Sequence, residues 1–335
     1  MSTKFSTEQY AETLLVAMLN FFVGFFGLIL NGLSLLTILK SPHLQNTYGT
    51  LSLNHSCLNI ATLLIYFLWV TPTTYVQSTD ADSPFGKVIG QLYLLFWISM
   101  VYSHLYLSLN RLVAIVFPRH SNSLFSHNFC VAFIIFTWLV GLFHIVPFFW
   151  YEQCFLTYDP LIWVWNMSTT KCGQTFRLLV MQYCCIMVLT FILVINIGVF
   201  LYIKLKAPLS LRHSEIRLFA ETMTRSTAFL LITIFSSVLG SLIIQRWERY
   251  LCTTFVWQLY HLFDGFLVLL LHFKRKLLAE HREVSHRPVS FVHVDNHHPH
   301  GSHGHHPHSH DSLRPHPHHD IHILHHHQFS KVDTV

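Results

Sequence analysis

One arginine in this chain lies at the end of a long apolar segment. Arg111 follows Ser108-Leu109-Asn110, and six apolar residues separate it from Pro118. A cation is unfavourable in hydrocarbon unless it lies at the membrane interface or faces a protein cavity. Taken alone, Arg111 fits a boundary arginine of any multi-span protein, whose long side chain reaches the interface. The six other apolar segments favour an interaction site at one end of a seven-helix bundle.

Asp264 is the acidic residue near the middle of the seventh apolar segment, and an intramembrane carboxylate is a functional candidate by default. Asn31 and Asn59, in the first and second segments, are its candidate polar partners. Hydrogen bonds within the set Asn31, Asn59 and Asp264 would join three helices. The set predicts either structural contacts between helices or a switch, and the two are compatible.

Aromatic residues recur at helical spacing in two segments. Tyr93 and Trp97 are one turn apart in the third segment, toward its outer half. Trp257 and His261 share one face of the seventh with Asp264. Such spacing is typical of packing, but the outer half of a bundle also suits a small-ligand pocket. Both interpretations stay open, with Tyr93, Trp97, Trp257 and His261 as candidate pocket residues.

Composition predicts an all-α membrane protein. Of the 335 residues, 52 % are hydrophobic and only 11 % are charged, against roughly 25 % charged in soluble proteins. The net charge of +5 is scattered over short loops and does not indicate nucleic-acid binding. Seven segments approach the roughly 20 apolar residues that a spanning helix needs, and the sixth is the shortest. They are approximately Leu14–Leu39, Leu51–Tyr75, Val88–Val116, Phe129–Trp150, Leu178–Ile203, Thr227–Ile244 and Leu251–Phe273.

Lys and Arg are more frequent in the loops that follow odd-numbered segments, which predicts that these loops are cytoplasmic. Arg225 is counted here as a loop residue before the sixth segment. The N-terminus is then extracellular, as is the loop Tyr151–Phe176. That loop contains Cys154 and Cys172, in a compartment where disulfides persist, and the glycosylation sequon Asn166-Met167-Ser168.

Four regions follow from this organisation: an extracellular N-terminus, the seven-helix domain, a short amphipathic eighth helix and a His-rich tail. Their bounds are 1–13, 14–273, 274–284 and 285–335. The basic residues after Phe273 suit a helix on the inner leaflet. Pro, Gly and His runs predict a disordered tail, to which we assign incidental metal affinity and no metal site.

Several motifs together resemble the rhodopsin-like seven-helix receptors, and more closely the nematode serpentine chemoreceptors of class X, from about Phe22 to about Arg275. They are Tyr48-Gly49-Thr50-Leu51, Tyr102-Ser103-His104, Ser108-Leu109-Asn110-Arg111, Ala114-Ile115-Val116-Phe117-Pro118, Tyr158-Asp159-Pro160 with Trp163 between Cys154 and Cys172, and Trp257 to His261 followed by Asp264-Gly265.

The resemblance implies that Arg111 holds the inactive inner face and meets a heterotrimeric G protein. Asn110 stands where such receptors carry an acid, so no ion pair with that neighbour is expected. Asn59 stands where many carry an aspartate, and Asp264-Gly265 replaces Asn-Pro. Because no cysteine opens the third segment, the resemblance implies that Cys154 pairs with Cys172.

The implied function is a chemosensory receptor in the plasma membrane, including that of sensory cilia, which binds a small ligand and has no cofactor. The alternatives are an intramembrane metal-dependent hydrolase and a transporter. A hydrolase needs histidines and an acid at one depth, and the intramembrane histidines look scattered. They are His55, His104, His144, His261 and His272. A transporter should show repeats or broken helices, and neither is visible.

Overall fold

Seven helices within the described residues are long and apolar enough to cross a membrane. The computed structural model describes residues 7–78, 83–146, 154–206 and 213–285. The predicted tail, 285–335, lies outside them except for its first residue. The spans are Gln9–Lys40, Thr47–Val76, Pro84–Val116, His127–Ile145, Lys171–Lys206, Glu215–Gly240 and Arg246–Lys274.

Three spans contain a π-helical turn, which divides each into shorter helical pieces. Asn46, Ser83, Ser126 and Thr170 cap helix starts, because their side-chain oxygens accept a hydrogen bond from a backbone N–H three residues on. The α-helices are Thr7–Lys40, Thr47–Ile65, Thr71–Val76, Pro84–Val116, Ser121–Leu124, His127–Ile145, Lys171–Phe176, Cys185–Lys206, His213–Leu242, Arg246–Tyr250 and Val256–Ser285. The π-helical turns are Tyr66–Val70, Arg177–Cys184 and Leu251–Phe255, and a 3-10 turn covers Pro42–Leu44.

The sixth span differs most from its predicted bounds. The helix begins at His213, not near Thr227, and so includes Arg225, which the sequence analysis assigns to a loop. That assignment was wrong. Hydropathy excludes Glu215, Glu221 and Arg225 from a span because it counts each charge as if it faced lipid, whereas Arg225 and Glu221 are buried inside the bundle.

The predicted eighth helix is a continuation of the seventh span. One helix runs from Val256 to Ser285 without a break at Lys274. Residues 274–285 contain no Gly or Pro and are rich in Lys, Arg, Leu and Glu, which favour helix continuation. No separate helix therefore begins after the seventh span in the part of the chain that the structure describes.

The third span is the centre of the bundle. In its most apolar stretch 72 % of the residues are buried, against 56 % or less in each other span. It packs against the second, fourth, fifth and sixth spans, while the first span packs against the second and the seventh. At Gly141 of the fourth span an added Cβ would meet Ser99 Oγ at 2.6 Å, so small residues allow this close approach.

A two-stranded hairpin closes one end of the bundle, called here the hairpin end; the opposite end is the Arg111 end. Leu156–Asp159 pairs antiparallel with Val164–Met167. Tyr158 and Trp163 are fully buried. Burial raises the pKa of Tyr158, which keeps its hydroxyl neutral at 2.8 Å from Thr74 Oγ1.

Two contacts hold the hairpin in place. An added Cβ at Gly90 would lie 1.7 Å from the Leu156 carbonyl oxygen, so glycine is required where the third span meets the first strand. The expected disulfide between Cys154 and Cys172 is confirmed. It joins the start of the hairpin to the start of the fifth span.

Removing this disulfide should lower stability. In the chain-entropy model a closed loop of this size contributes about 3 kcal/mol. We expect the Cys154→Ala/Cys172→Ala double variant to melt at a lower temperature than the native protein. The Cys252→Ala control, which removes a free thiol, should shift the melting temperature much less. Non-reducing peptide mapping should recover the two cysteines linked; finding both as free thiols contradicts the bond.

Candidate functional site

A fully buried ion pair joins the sixth span to the seventh. Arg225 Nε donates to Asp264 Oδ1 at 2.5 Å, and Arg225 Nη2 donates to Asp264 Oδ2 at 2.7 Å. Both side chains are at most 1 % exposed. A bidentate guanidinium–carboxylate pair of this kind combines charge with fixed geometry. Arg225 Nη1 also lies 3.8 Å from Glu221 Oε1, one turn earlier.

Asparagines from two further spans extend this pair. Asn59 Nδ2 donates to Asp264 Oδ2 at 2.6 Å, and His261 Nδ1 donates to Asn59 Oδ1 at 2.8 Å. Asn31 does not bond to the carboxylate; its Nδ2 donates to the backbone carbonyls of His261 and Gly27 at 2.9 Å. A Cβ at Gly265 would lie 2.7 Å from the Asn31 side chain, so this glycine permits the contact.

Three histidines, His55, His104 and His261, lie near the Asp264 carboxylate, although the sequence leads us to expect the intramembrane histidines at different depths. His55 Nε2 is 3.5 Å from Asp264 Oδ2, and the rings of His55 and His104 are 4.5 Å apart. His104 Nε2 and the Tyr260 hydroxyl hydrogen-bond at 2.8 Å. Sequence spacing could not show this, because the three histidines come from three spans. Among the described residues, no three His, Cys, Asp or Glu side chains are placed to hold one metal ion.

Arg225 is the residue of this network that the sequence analysis missed. The signal was present: two acids and two arginines lie within the eleven residues from Glu215 to Arg225, before the predicted sixth span. Arg225 is four positions after Glu221, which places both on one face of a helix. Such a charged face directly preceding an apolar run indicates a helix that begins earlier and turns its charges inward.

A cavity of about 300 Å³ lies beneath the hairpin. Three of the four predicted pocket residues, Tyr93, Trp97 and Trp257, line it. His261 does not, since it lies one turn deeper and bonds to Asn59. The remaining lining residues are Leu94, Leu156, Trp165, Met167, Arg177, Met181, Gln182, Thr233, Ser236, Ser237, Gly240, Thr253 and Thr254.

Aromatic contacts connect the cavity floor to the buried ion pair. The Phe229 ring lies 5.1 Å from that of Trp257 and 4.7 Å from that of His104. His104 Nδ1 is 3.3 Å from Ser226 Oγ, the residue after Arg225. One continuous set of packed side chains therefore runs from the cavity to the network.

At the Arg111 end, the arginine binds two partners. Arg111 Nη1 donates to Glu215 Oε2 at 2.9 Å, which joins the third span to the sixth. Arg111 Nη2 and Nε donate to Asn110 Oδ1 at 2.5 and 3.2 Å. No ion pair with residue 110 was expected, and a hydrogen bond takes its place. The guanidinium also lies 4.6 Å from the centre of the Tyr48 ring.

The sequence matches the family described as serpentine type 7TM GPCR chemoreceptor Srx over residues 21–272. No curated protein matches significantly. Among solved structures, the chain is similar to squid rhodopsin, with a TM-score of 0.64 and 14 % sequence identity. The match covers 77 % of this chain and 81 % of that chain. At this identity the similarity shows the fold alone.

Breaking the buried ion pair from either side should destabilise the protein. Asp264→Asn removes the bidentate partner of Arg225 and leaves it only Glu221 at 3.8 Å, whereas Arg225→Met leaves Asp264 without its cation, and a buried unpaired charge costs about 3–5 kcal/mol. The double variant removes both charges of the pair, so the purified double variant should melt above Arg225→Met, in which Asp264 stays charged without a cation.

Arg217→Met is the matched control, because Arg217 lies on the same helix and only part of its surface is buried. It should change the stability by less than about 0.5 kcal/mol. Additive losses in the double variant, with no coupling between the two sites, would contradict the pair.

Proposed function

Because the chain belongs to the serpentine seven-transmembrane GPCR chemoreceptor family Srx, we propose that it binds a small ligand in the cavity beneath the hairpin. The bound receptor then activates a heterotrimeric G protein at the Arg111 end. Tyr93, Trp97 and Trp257 contact the ligand, and Arg111 with Asn110 forms the coupling site. The chain is a multi-pass membrane protein with the fold of rhodopsin.

The observation that carries the proposal is the ion pair between Arg111 and Glu215. It holds the third and sixth spans together at the end opposite the cavity. Glu215 is 31 % exposed, so water can solvate both groups when they separate. The pair is therefore weak enough to open, and opening it would uncover a surface between the two spans.

The sixth span connects the two ends. Ser236 lines the cavity, Arg225 binds Asp264 halfway along, and Glu215 binds Arg111 at the far end. At 1.5 Å per residue, the helix covers about 30 Å between Ser236 and Glu215. If the helix has two conformations and the ligand binds one of them more tightly, binding shifts the helix toward that conformation at both ends. The free energy of this shift cannot exceed the difference in the ligand's binding free energy between the two conformations.

We place the protein in the plasma membrane, including that of sensory cilia. The hairpin end then faces the outside of the cell, and the Arg111 end faces the cytoplasm. The excess of Lys and Arg in the loops at the Arg111 end supports this orientation. The disulfide at the hairpin end fits an oxidising compartment. The polar network of Asn31, Asn59 and Asp264, completed by Arg225, then holds the middle of the bundle in a defined arrangement.

Weakening the ion pair should raise signalling without ligand. Glu215→Gln removes the charge; a partly exposed pair is worth on the order of 1 kcal/mol, which corresponds to about a fivefold shift between states. We therefore expect about fivefold higher basal nucleotide exchange on the G protein. Glu248→Gln, the same change at the hairpin end, should leave it unaltered.

Arg111→Ala should abolish G-protein activation while surface expression remains, because the coupling contact is lost. Surface labelling and nucleotide exchange measure the two quantities in the same cells. Full activation by Arg111→Ala, together with basal activity of Glu215→Gln equal to that of the native receptor, would overturn the assignment of this end.

Asn166 should carry a glycan in a eukaryotic cell, because it is exposed on the second strand of the hairpin. Asn166→Gln should increase gel mobility. Asn54→Gln is the matched control: it removes the sequon Asn54-His55-Ser56 in the second span, where Asn54 accepts a hydrogen bond from Trp138. Antibody access to the C-terminal tail in intact cells would contradict the orientation.

A further inference from the structure

We propose that the ligand of the cavity is a small organic carboxylate, and that Arg177 binds its negative group. This inference rests on the proposed receptor function and deepens it. It names the chemical class of the ligand and the residue that selects it.

Arg177 is the one charged residue among the described residues that line the cavity. No hydrogen bond or ion pair joins its guanidinium to any residue in the described part of the chain. Other arginines inside or near the bundle are paired: Arg111 with Glu215, Arg225 with Asp264, and Arg246 with Glu12. The cavity therefore offers one unpaired positive group and no described carboxylate, which favours an anion and disfavours a cation.

The π-helical turn of the fifth span directs this group toward the cavity. Residues 177, 181 and 182 are four and five positions apart and all three line it, because the wider π-turn brings positions i, i+4 and i+5 to one side. Arg177 is exposed at the rim, while Met181 and Gln182 lie half-buried. The side-chain amide of Gln182 likewise has no hydrogen-bond partner among the described residues, so it can donate a second hydrogen bond to a ligand.

Most of the hydroxyl groups around the cavity already have their proton bonded within the protein. A hydroxyl has one proton to donate. Thr233, Thr253 and Thr254 already donate theirs to the backbone carbonyls of Phe229, Arg249 and Trp163. The Ser236 hydroxyl donates to the Thr233 carbonyl and accepts from Trp257 Nε1. Besides Arg177 and Gln182, the donors left for a ligand are the Ser237 hydroxyl and Trp165 Nε1, and Arg177 is the charged one among them.

The aromatic side chains that line the cavity suit the apolar part of a ligand. The Tyr93 and Trp165 rings stack at 4.4 Å with an angle of 6° between their planes, and Trp97 meets Trp257 edge-on at 6.2 Å. A cavity of about 300 Å³ is at the lower end of the range for small-molecule sites. A planar guanidinium matches the two oxygens of a carboxylate. A compact acid with a phenyl or short alkyl body satisfies both walls.

Two matched sets of probes test the charge requirement: 4-phenylbutyrate, 4-phenylbutanamide and 4-phenylbutylamine, and octanoate, octanamide and octylamine. Binding is measured as the shift in melting temperature of the purified full-length receptor with increasing probe. We expect the acids to stabilise the receptor at lower concentration than their amides, and the amines to bind least.

Arg177→Gln should weaken binding of the acids about tenfold and leave binding of the amides unchanged. Arg177→Lys keeps the charge and should retain most of the binding. Lys171→Gln is the matched control, since this cation begins the same span but does not line the cavity. It should bind the acids as the native receptor does.

Several outcomes would overturn the inference: equal binding of acids and amides, preference for amines, acid binding that persists in Arg177→Gln, or no binding by any acid. Equal binding would assign Arg177 to lipid phosphate at the membrane interface instead. None of these results bears on basal signalling by Glu215→Gln, which is measured without a ligand and tests the receptor function separately.

Discussion

The buried pair of Arg225 and Asp264 is the constraint on which the middle of the bundle depends. Neither charge is tolerable alone at this depth, because a lone ion removed from water is several kcal/mol less stable. Each therefore requires the other, and the sixth and seventh spans must meet where the two side chains meet. The pair fixes the rotation of both helices, since a turn of either would carry its charge toward lipid.

The neighbouring residues follow from this constraint. Asp264 accepts two hydrogen bonds from Arg225 and one from Asn59, and His261 fills the remaining acceptor of Asn59. Low local dielectric strengthens these contacts and makes any unsatisfied member costly. The asparagine at position 59 is consistent with the pair: an aspartate there would place a second negative charge beside Asp264, against one arginine.

The same helix carries the proposed signal because it has contacts of unequal strength along its length. Near its middle it is held by a dry, bidentate pair, and at the Arg111 end by a partly exposed one. The weaker contact can open while the stronger one acts as the pivot. Ring contacts of Phe229 with Trp257 and His104 connect the floor of the cavity to the side chains around this pivot.

The sequence alone was sufficient for seven helices, their order and the family, because hydrophobic length and local motifs depend on neighbouring residues. It also identified Asp264 and Asn59, since each is unusual in its own segment, while the pairing of Cys154 with Cys172 came from the family resemblance. It failed at Arg225 and at the histidines. A hydropathy profile places a charged residue outside the membrane because it takes no account of a partner elsewhere in the chain. The partner of Arg225 is Asp264, 39 residues later. Only the tertiary structure decided which polar groups meet, because those contacts form between helices that the sequence does not place side by side.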